Sequence, residues 1–546
     1  MAARVKDIIK FGKKGKNTQD VFSRTVGLRG VVVISLSSMF GSGLFVMPSV
    51  AAYLMGPSVW LAFLLASLVV LPAAVSKSEL SAGMPASGGS YVHFERTYGP
   101  LIGTISGLGL WGSFLLKAAF ALIGFTAYFR VVTTYFSLDW KMYTTSILAL
   151  ILITAINILG VKKVKAVQAP IIFATLLLLT IVTIKALFSP QFDPSVPIQG
   201  LSTGSVWSIV ETTGFVFVAY AGVTKIGAIA GEVKDPEENL PLGIFISLAV
   251  ATALYTLLTF VMMATLPPQW WVGSNGVEIE NPVFIFVETL MGTKIGVFAS
   301  VLAIFTMISM ALAGILGSSR FLFAMSRDNL LPQAFEDVNA RYETPHFPII
   351  LTGLVMGVLI TYVPIADVVK LASGFNIMIF ILINATVIVL RKTSNVHKWD
   401  PAYKSPFYPY LQIWGIVSGA VLISFLGVKA LLGAGLVVLI GCALYYGYGK
   451  KHYLHQWTPF HSFTNQFKLA SPTEHDRRLA AFHAADFGEK NHLTLKEFQN
   501  ALHALGYQYT QDESRAIFHN ADENADGVID IDEFFSTYEV LEESSS

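Results

Sequence analysis

Residues 522–533 read DENADGVIDIDE, a segment in which oxygen-bearing side chains recur at fixed spacing. They stand at positions 1, 3, 5, 9 and 12, a backbone carbonyl is available at position 7, and glycine at position 6 permits a sharp turn. Calcium takes about six to eight oxygen ligands, so this spacing predicts a calcium site. The predicted ligands are Asp522, Asn524, Asp526, the Val528 carbonyl, Asp530 and Glu533.

An earlier segment, residues 486–497, has the same length and acidic residues at both ends. However, Gly488 has no side-chain oxygen and Lys490 places a cation where a ligand belongs, so no calcium is expected there. Leu493 and Ile529 share the loop position at which paired hands join through a short β-bridge. The tail therefore resembles an EF-hand pair in which the first hand is degenerate and the second binds calcium.

A different chemistry is indicated by residues 35–49, SLSSMFGSGLFVMPS, where two glycines flank a serine in an apolar stretch. Gly41 and Gly43 favour an interrupted helix, and the restarting half exposes N–H groups at its positive end, which attracts a carboxylate. Irregular backbone at membrane depth is tolerated only where it lines a cavity or a ligand. The alternative is that these small residues only allow two helices to pack closely.

A second interruption is predicted within GFVFVAYAGVTKIGAIAGEVKDPEENLP, at Tyr220 to Gly222. Paired broken helices from inverted repeats build a midplane site in many transporters. An ordinary helix with glycines at its interfaces remains the alternative for this segment.

Lys117 lies about 20 Å into an apolar segment, too deep to reach either membrane surface easily. It is therefore expected to face the protein interior, where it would disfavour cationic substrates, contribute to the substrate site or carry a coupling proton. The alternative is a snorkelling or structurally paired lysine.

The composition explains which elements must position these residues. The 546-residue chain is 53% hydrophobic with a mean hydropathy of +0.59, more apolar than a water-soluble core can accommodate. A membrane-spanning helix needs about 20 apolar residues. This criterion predicts an all-α, multi-pass protein with twelve transmembrane segments, at 27–55, 57–80, 102–129, 143–160, 166–188, 206–231, 241–265, 294–324, 347–364, 368–391, 410–428 and 430–447.

The distribution of Lys and Arg predicts how these segments are oriented in the membrane. Lys162, Lys163 and Lys165 fall in one predicted inner loop, whereas the outer loops 189–205 and 266–292 contain no Lys or Arg. Both termini are therefore expected in the cytoplasm, in a plasma or inner membrane. The net charge of +1 argues against a nucleic-acid partner, and the absence of HExxH, GxSxG and P-loop motifs argues against an enzyme.

Several motifs occur together in an order that resembles the amino acid, polyamine and organocation (APC) superfamily of permeases, over about residues 20–447. They are the GSG of the first segment, MPASGGSYVHFERTYGP, EVKDPEENLP, SSRFLFAMSRDNLLP and YKSPFYPYLQIWG. The resemblance implies a LeuT-type fold, with two inverted five-helix repeats followed by two further helices. It also implies a substrate site formed by Ser38, Met39, Gly41, Ser42 and Gly43, and by Phe217, Ala219, Tyr220 and Gly222, with Phe217 as an aromatic lid.

The coupling ion stays open at this stage. Some proton-coupled relatives have a lysine in the fifth segment, where Thr175 stands in this chain. Thr175 with Ser309 would instead form a sodium site, although hydroxyls in membrane helices more often bond to their own backbone.

These patterns predict secondary-active transport of amino acids or related amines by alternating access. The rival prediction is a calcium-responsive nutrient receptor or a channel on the same fold. The EF-hand tail is expected either to dock on the cytoplasmic face and modulate transport, or only to stabilise, localise or dimerise the protein. The predicted divisions are a basic cytoplasmic tail (1–25), a transporter domain (26–453), a linker (454–472) and the EF-hand pair (473–541).

Overall fold

The structure is a computed structural model of the full chain. It describes residues 26–84, 89–138, 142–159, 164–203, 205–223, 233–267, 279–339, 342, 344–394, 399–452, 458–460, 463–464, 478, 481–482, 485–486, 492–505, 511–522, 524 and 526–537.

Helices make up nearly all of the membrane part, as the apolar segments predict. In chain order they are α1 Leu28–Met39, α2 Ser42–Phe45, α3 Met47–Met55, α4 Val59–Gly83, α5 Ser90–Tyr98, α6 Pro100–Tyr135, α7 Met142–Leu159, α8 Val164–Leu187, α9 Ser195–Thr203, α10 Val206–Tyr220, α11 Pro236–Thr265, α12 Pro282–Met291, α13 Thr293–Arg327, α14 His346–Tyr362, α15 Ile365–Lys392, α16 Tyr410–Phe425 and α17 Val428–Leu444.

Each of the twelve predicted segments contains a helix. Among the described residues, eight helical stretches are long and apolar enough to cross a membrane, and five further apolar helices are shorter. The protein is therefore a helical, multi-pass membrane protein, while the count of twelve crossings stays a prediction. The first predicted segment is divided because its helix ends at Met39 and restarts at Ser42.

The two longest helices, α6 and α13, pack along each other. Small residues permit this close approach. A Cβ atom at Gly314 would lie 2.5 Å from the Cβ of Ala118, and one at Gly317 would lie 2.8 Å from the ring of Phe114. This packing fixes α6, which carries Lys117, against α13.

The sequence analysis did not predict α12, a ten-residue apolar helix that precedes α13. Val283, Phe286 and Val287 are buried against the core. The helix is too short to reveal itself as a spanning segment, because hydropathy alone cannot separate it from the apolar residues that follow.

The C-terminal unit contains two short strands and helices on both sides of them. These are β1 His492–Leu493, α18 Leu495–Ala504, α19 Gln511–Ala521 and β2 Ile529–Asp530, followed by a helix over 531–537. Leu493 pairs with Ile529 in an antiparallel register, which confirms the predicted bridge. Phe498, Phe518 and Phe534 form an aromatic core below it.

Candidate functional site

The first interruption separates α1 from α2. Phe40 and Gly41 both have extended backbone between the two helices. At the restart, the third and fourth amides after Gly41 both donate to its carbonyl at 3.0 Å. In the described part of the chain, the amides of Ser42 and Gly43 have no backbone acceptor. This end of the half-helix therefore presents free donors, as predicted from the glycines.

Side chains from other helices satisfy the carbonyls at the end of α1. The Lys117 ammonium group donates to the Ser38 carbonyl at 3.0 Å, and the Tyr255 hydroxyl donates to the Met39 carbonyl at 2.8 Å. Lys117 is only 3% exposed and Tyr255 is fully buried. The lysine charge thus lies at the negative end of a helix, where it is stabilised.

The second predicted interruption corresponds to the end of α10. The helix α10 ends at Tyr220 and continues as a 3₁₀ turn over 221–223; its predicted continuation, 224–232, lies outside the described residues. The Ser373 hydroxyl accepts a hydrogen bond from the Val218 amide at 3.2 Å and donates to the Phe215 carbonyl at 2.8 Å. A side chain of α15 therefore stabilises the last turns of α10.

The two interruptions are in direct contact. A Cβ atom at Gly222 would lie 2.3 Å from the carbonyl carbon and oxygen of Ser38, and one at Gly43 would lie 2.9 Å from the Cβ of Ala219. Only glycine fits at Gly222, because the neighbouring atoms belong to the backbone. The Tyr255 ring also lies edge-on to Tyr220, with 5.2 Å between centroids, so Tyr255 contacts both interruptions.

Among the predicted site residues, Ser42 gives the clearest indication of a missing hydrogen-bond partner. It is fully buried, and its hydroxyl has no hydrogen-bond partner within the described residues. Buried hydroxyls are seldom left without a partner, so this oxygen indicates a position for a polar ligand. Gly41 lies nearby against the Met310 side chain.

Phe217, the predicted lid, is buried and packs edge-on against Phe380 of α15, with 5.1 Å between centroids. Its role as a lid stays a prediction.

The two predicted sodium ligands lie on packed helices, α8 and α13. Thr175 is buried, and its hydroxyl has no partner in the described regions. Ser309 is half-buried. A shared ion site for these two residues stays a prediction.

The C-terminal end of α4 is held by a buried carboxylate. Glu79 is fully buried and accepts two hydrogen bonds from the Arg391 guanidinium at 2.8 and 2.7 Å. It also accepts from the Ser405 amide at 2.8 Å, the Ser405 hydroxyl and the Trp399 ring N–H at 3.3 Å. This network fixes the end of α15 and the chain that follows it onto α4.

The N-terminal end of α15 is held less firmly. The Lys370 ammonium group donates to the Glu211 carboxylate of α10 at 2.8 Å, and the two side chains are 22% and 36% exposed. Exposed ion pairs of this kind contribute little to stability, because water screens them.

The connecting helix α5 is fastened to two neighbouring elements. The Tyr91 hydroxyl donates to the Asp328 carboxylate at 2.8 Å, just after α13, and burial raises the pKa of Asp328. His93 Nδ1 lies 3.1 Å from the Lys77 ammonium group of α4, and His93 Nε2 lies 3.1 Å from the Met84 carbonyl. Burial lowers the pKa of His93 well below its usual range. The imidazole is therefore neutral: Nε2 donates to the carbonyl and Nδ1 accepts from Lys77.

The C-terminal loop has the turn expected of a calcium-binding hand. Gly527 has φ +84°, which favours glycine. The Asp522 carboxylate accepts from the amides of Asp526 and Gly527, at 3.1 and 2.9 Å, and Glu533 accepts from the Asp530 amide at 2.9 Å. Among the described residues, no three carboxylate, imidazole or thiolate groups lie close enough to hold a metal ion as the side chains stand. The donor types and the turn nevertheless fit calcium.

Two important residues, Tyr255 and Ser373, were not predicted. Neither lies in a distinctive motif, and their partners are 216 and 155 residues away. A tyrosine in the middle of an apolar helix is a weak signal of such a residue, because a buried hydroxyl needs a hydrogen-bond partner.

A buried helix break that packs against the end of α10 in a multi-pass bundle is typical of helical membrane transporters. The chain belongs to the amino acid permease family of the APC superfamily, whose family model matches residues 26–446. A second family model, the EF-hand domain pair, matches residues 478–539. These matches confirm the resemblance inferred from the motifs.

Curated relatives cover most of the permease part. The chain is 26% identical to the branched-chain amino acid permease BcaP of Bacillus subtilis over 446 residues, 79% of this chain and 94% of the relative. It is 27% identical to the methylthioribose transporter of the same organism over 455 residues, 79% and 95% of the two chains. The serine/threonine exchanger SteT of Bacillus subtilis is 25% identical over 439 residues, 78% and 97% of the two chains.

Proposed function

We propose that this protein is a secondary-active carrier of amino acids or related amines that works by alternating access around the two interruptions. The observation that carries the proposal is the buried, unpartnered Ser42 hydroxyl beside the free amides of Ser42 and Gly43. A substrate carboxylate satisfies these donors and gains from the positive end of the half-helix.

The substrate's amino group needs acceptors on the other side of the site. Lys117 and Tyr255 already donate to the Ser38 and Met39 carbonyls. The carbonyls at the end of α10, near Ala219 and Tyr220, are therefore the proposed acceptors. Gly222 has no side chain and so allows this end of α10 to lie close to the Ser38 backbone. Because Lys117 places a positive charge beside the site, we expect neutral or acidic substrates to be preferred over lysine or arginine.

Transport in proteoliposomes tests this proposal with a panel of the twenty amino acids. A carrier saturates with substrate and is accelerated by substrate on the opposite side of the membrane. A receptor would bind a substrate without moving it, and a channel would show no acceleration. The permease, transporter and exchanger names of the relatives do not favour the receptor or channel alternative.

The coupling ion is assigned by imposing a pH gradient or a sodium gradient in turn. If a proton couples transport, we propose that Lys117 carries it, and Lys117→Gln abolishes the response to the pH gradient. If sodium couples transport, Thr175→Ala abolishes the sodium response, because Thr175 and Ser309 supply the proposed hydroxyl ligands.

We further propose the LeuT-type arrangement of twelve crossings, with both termini in the cytoplasm of a plasma or inner membrane. The proposed divisions are the four stated above, at 1–25, 26–453, 454–472 and 473–541. The absence of Lys and Arg from residues 189–205 and 266–292 supports this orientation. Cys442 is the single cysteine, so variants lacking it accept new cysteines at each loop for labelling from either side.

For the C-terminal tail, we propose calcium binding at 522–533 and modulation of transport by cytoplasmic calcium. The proposed ligands are Asp522, Asn524, Asp526, the Val528 carbonyl, Asp530 and Glu533. Calcium titration of the purified protein tests the site, with Glu533→Gln expected to abolish tight binding. Uptake with calcium or a chelator on the tail's side tests modulation, and equal rates would leave the tail only a stabilising, localising or dimerising role.

A further inference from the structure

The chain beyond the last membrane helix packs onto the junction between α5 and α6. We name residues 458–460 the strap. Thr458 and Pro459 are buried, and the half-buried Phe460 ring lies 5.2 Å from the Tyr98 ring between centroids. Gly99 has φ +87°, and a Cβ atom there would lie 3.5 Å from the Thr458 methyl group. The region expected to be a simple linker therefore makes a specific contact with the permease part.

The surface under the strap connects to the inner ends of two membrane helices. Tyr98 ends α5, whose other residues hold Asp328 after α13 and Lys77 in α4. Residues of α5 are mostly buried, so the helix moves only together with its neighbours. A displacement at Tyr98 is thus transmitted to the two bonds made by Tyr91 and His93.

The strap also lies close in sequence to the calcium-binding unit. Thirteen residues separate Thr464 from Arg478, where the EF-hand match begins. Fully extended, such a segment reaches at most about 45 Å. The hands are therefore tethered close enough to the strap for a rearrangement on calcium binding to act on it.

We propose that the strap is the link through which calcium at residues 522–533 acts on the permease, by changing how Phe460 packs against Tyr98. The partner for the Tyr98 and Gly99 surface is thus a segment of the same chain. The proposal rests on the proposed calcium site and carrier function, and it adds the contact that joins them.

Thermodynamic linkage provides the first test. If strap docking changes calcium affinity, then removing the docked ring must shift the calcium Kd, because coupling between two sites is reciprocal. We expect Phe460→Ala and Tyr98→Ala each to shift the Kd of the full-length protein about five-fold or more, in the same direction. The double variant should match either single one, because both remove the same contact.

Tyr410→Ala is the matched control. Tyr410 is an aromatic residue at the start of α16, 78% exposed and outside the strap contact, so its removal should leave the calcium Kd unchanged. Strap variants with a wild-type Kd, or additive shifts in the double variant, would overturn the proposal.

A second measurement uses the unmodified protein, so it is independent of any loss of folding in the alanine variants. Hydrogen–deuterium exchange of the peptides that contain Tyr98 and residues 458–460 is followed with calcium and with a chelator. The exchange rate of the strap amides is expected to differ about five-fold between the two conditions. Equal rates contradict the proposal. Neither experiment depends on uptake, so a failure of the carrier function would appear separately, as absent transport with intact calcium linkage.

Discussion

The two interruptions that meet in the membrane core are stabilised in opposite ways. At the first, side chains from α6 and α11 occupy the carbonyl end, and the amide end keeps free donors. At the second, Ser373 bonds to both an amide and a carbonyl within the last turns of α10. The first interruption is thus charged and incompletely satisfied, whereas the described part of the second is stabilised by a neutral side chain of α15.

Under the proposed function, this difference would let one site bind the two ends of a zwitterion. Free donors beside a buried lysine suit a carboxylate, and the carbonyl end of α10 suits an ammonium group. The contrast also distinguishes residues that stabilise the fold from residues that would bind a ligand. Each prediction below tests that distinction.

The largest effect is expected from Gly222→Ala, which forces the interruptions apart. The new Cβ would lie 2.3 Å from Ser38 backbone atoms, and overpacking of this kind costs about 3 kcal/mol or more when backbone must move. Uptake in proteoliposomes should fall to background. Gly435→Ala on α17 is the control, because nothing lies within 4 Å of its Cβ position. Normal uptake by Gly222→Ala would mean that the two interruptions need not touch.

The next largest effect is expected from Lys117→Met, which removes the cation from the first interruption. The Ser38 carbonyl loses its bond from Lys117, at a cost of about 1–3 kcal/mol. Uptake of neutral substrates should fall about ten-fold, and the preference against arginine should weaken. Lys117→Gln keeps a donor without charge, so it should restore part of the uptake but not the preference. Identical uptake by the two variants would contradict a separate role for the hydrogen bond, and an unchanged preference against arginine in both would contradict a role for the charge.

Ser42→Ala separates ligand binding from stability. The hydroxyl has no partner to lose in the described structure, so the melting temperature in detergent should stay the same or rise slightly. Substrate Kd should rise about ten-fold, because a hydrogen bond to a carboxylate is lost. Ser418→Ala, at an exposed serine bonded to its own helix, should change neither quantity. A lower melting temperature with unchanged Kd would assign Ser42 to the fold instead.

The smallest effect is expected from Tyr255→Phe, which keeps the ring and removes one neutral hydrogen bond. The Met39 carbonyl then lacks this donor, at a cost of about 1 kcal/mol. Both melting temperature and substrate affinity should fall modestly, unlike the split response of Ser42→Ala. Tyr446→Phe, at an exposed tyrosine, provides the comparison. An unchanged melting temperature would show that the Tyr255 hydroxyl does not stabilise the first interruption.

The sequence was most informative where local chemistry determines structure. Gly41 and Gly43 marked the first interruption, Gly222 marked the second, and the loop spacing marked Gly527 and the β-bridge. These features arise from backbone preferences within a few residues, so a single sequence reveals them.

Features that depend on distant helices could not be predicted. The partner of Lys117 is a carbonyl 79 residues away, and the partners of Glu79 and Tyr98 lie hundreds of residues later in the chain. Such pairings follow from how the helices pack, which apolar periodicity does not specify. In the sequence, Glu79 is only a charged residue near the end of an apolar segment, although it is the centre of a five-donor network.

The two ends of α15 are held by ion pairs of unequal exposure, so salt should affect the two ends differently. Salt screens the Lys370 and Glu211 pair, which is partly exposed, far more than it screens Glu79, which water does not reach. Concentrated electrolyte should therefore loosen one end of this helix and leave the other fixed. Under the proposed carrier function, the salt concentration on that side of the membrane would then bias how often the protein opens towards it.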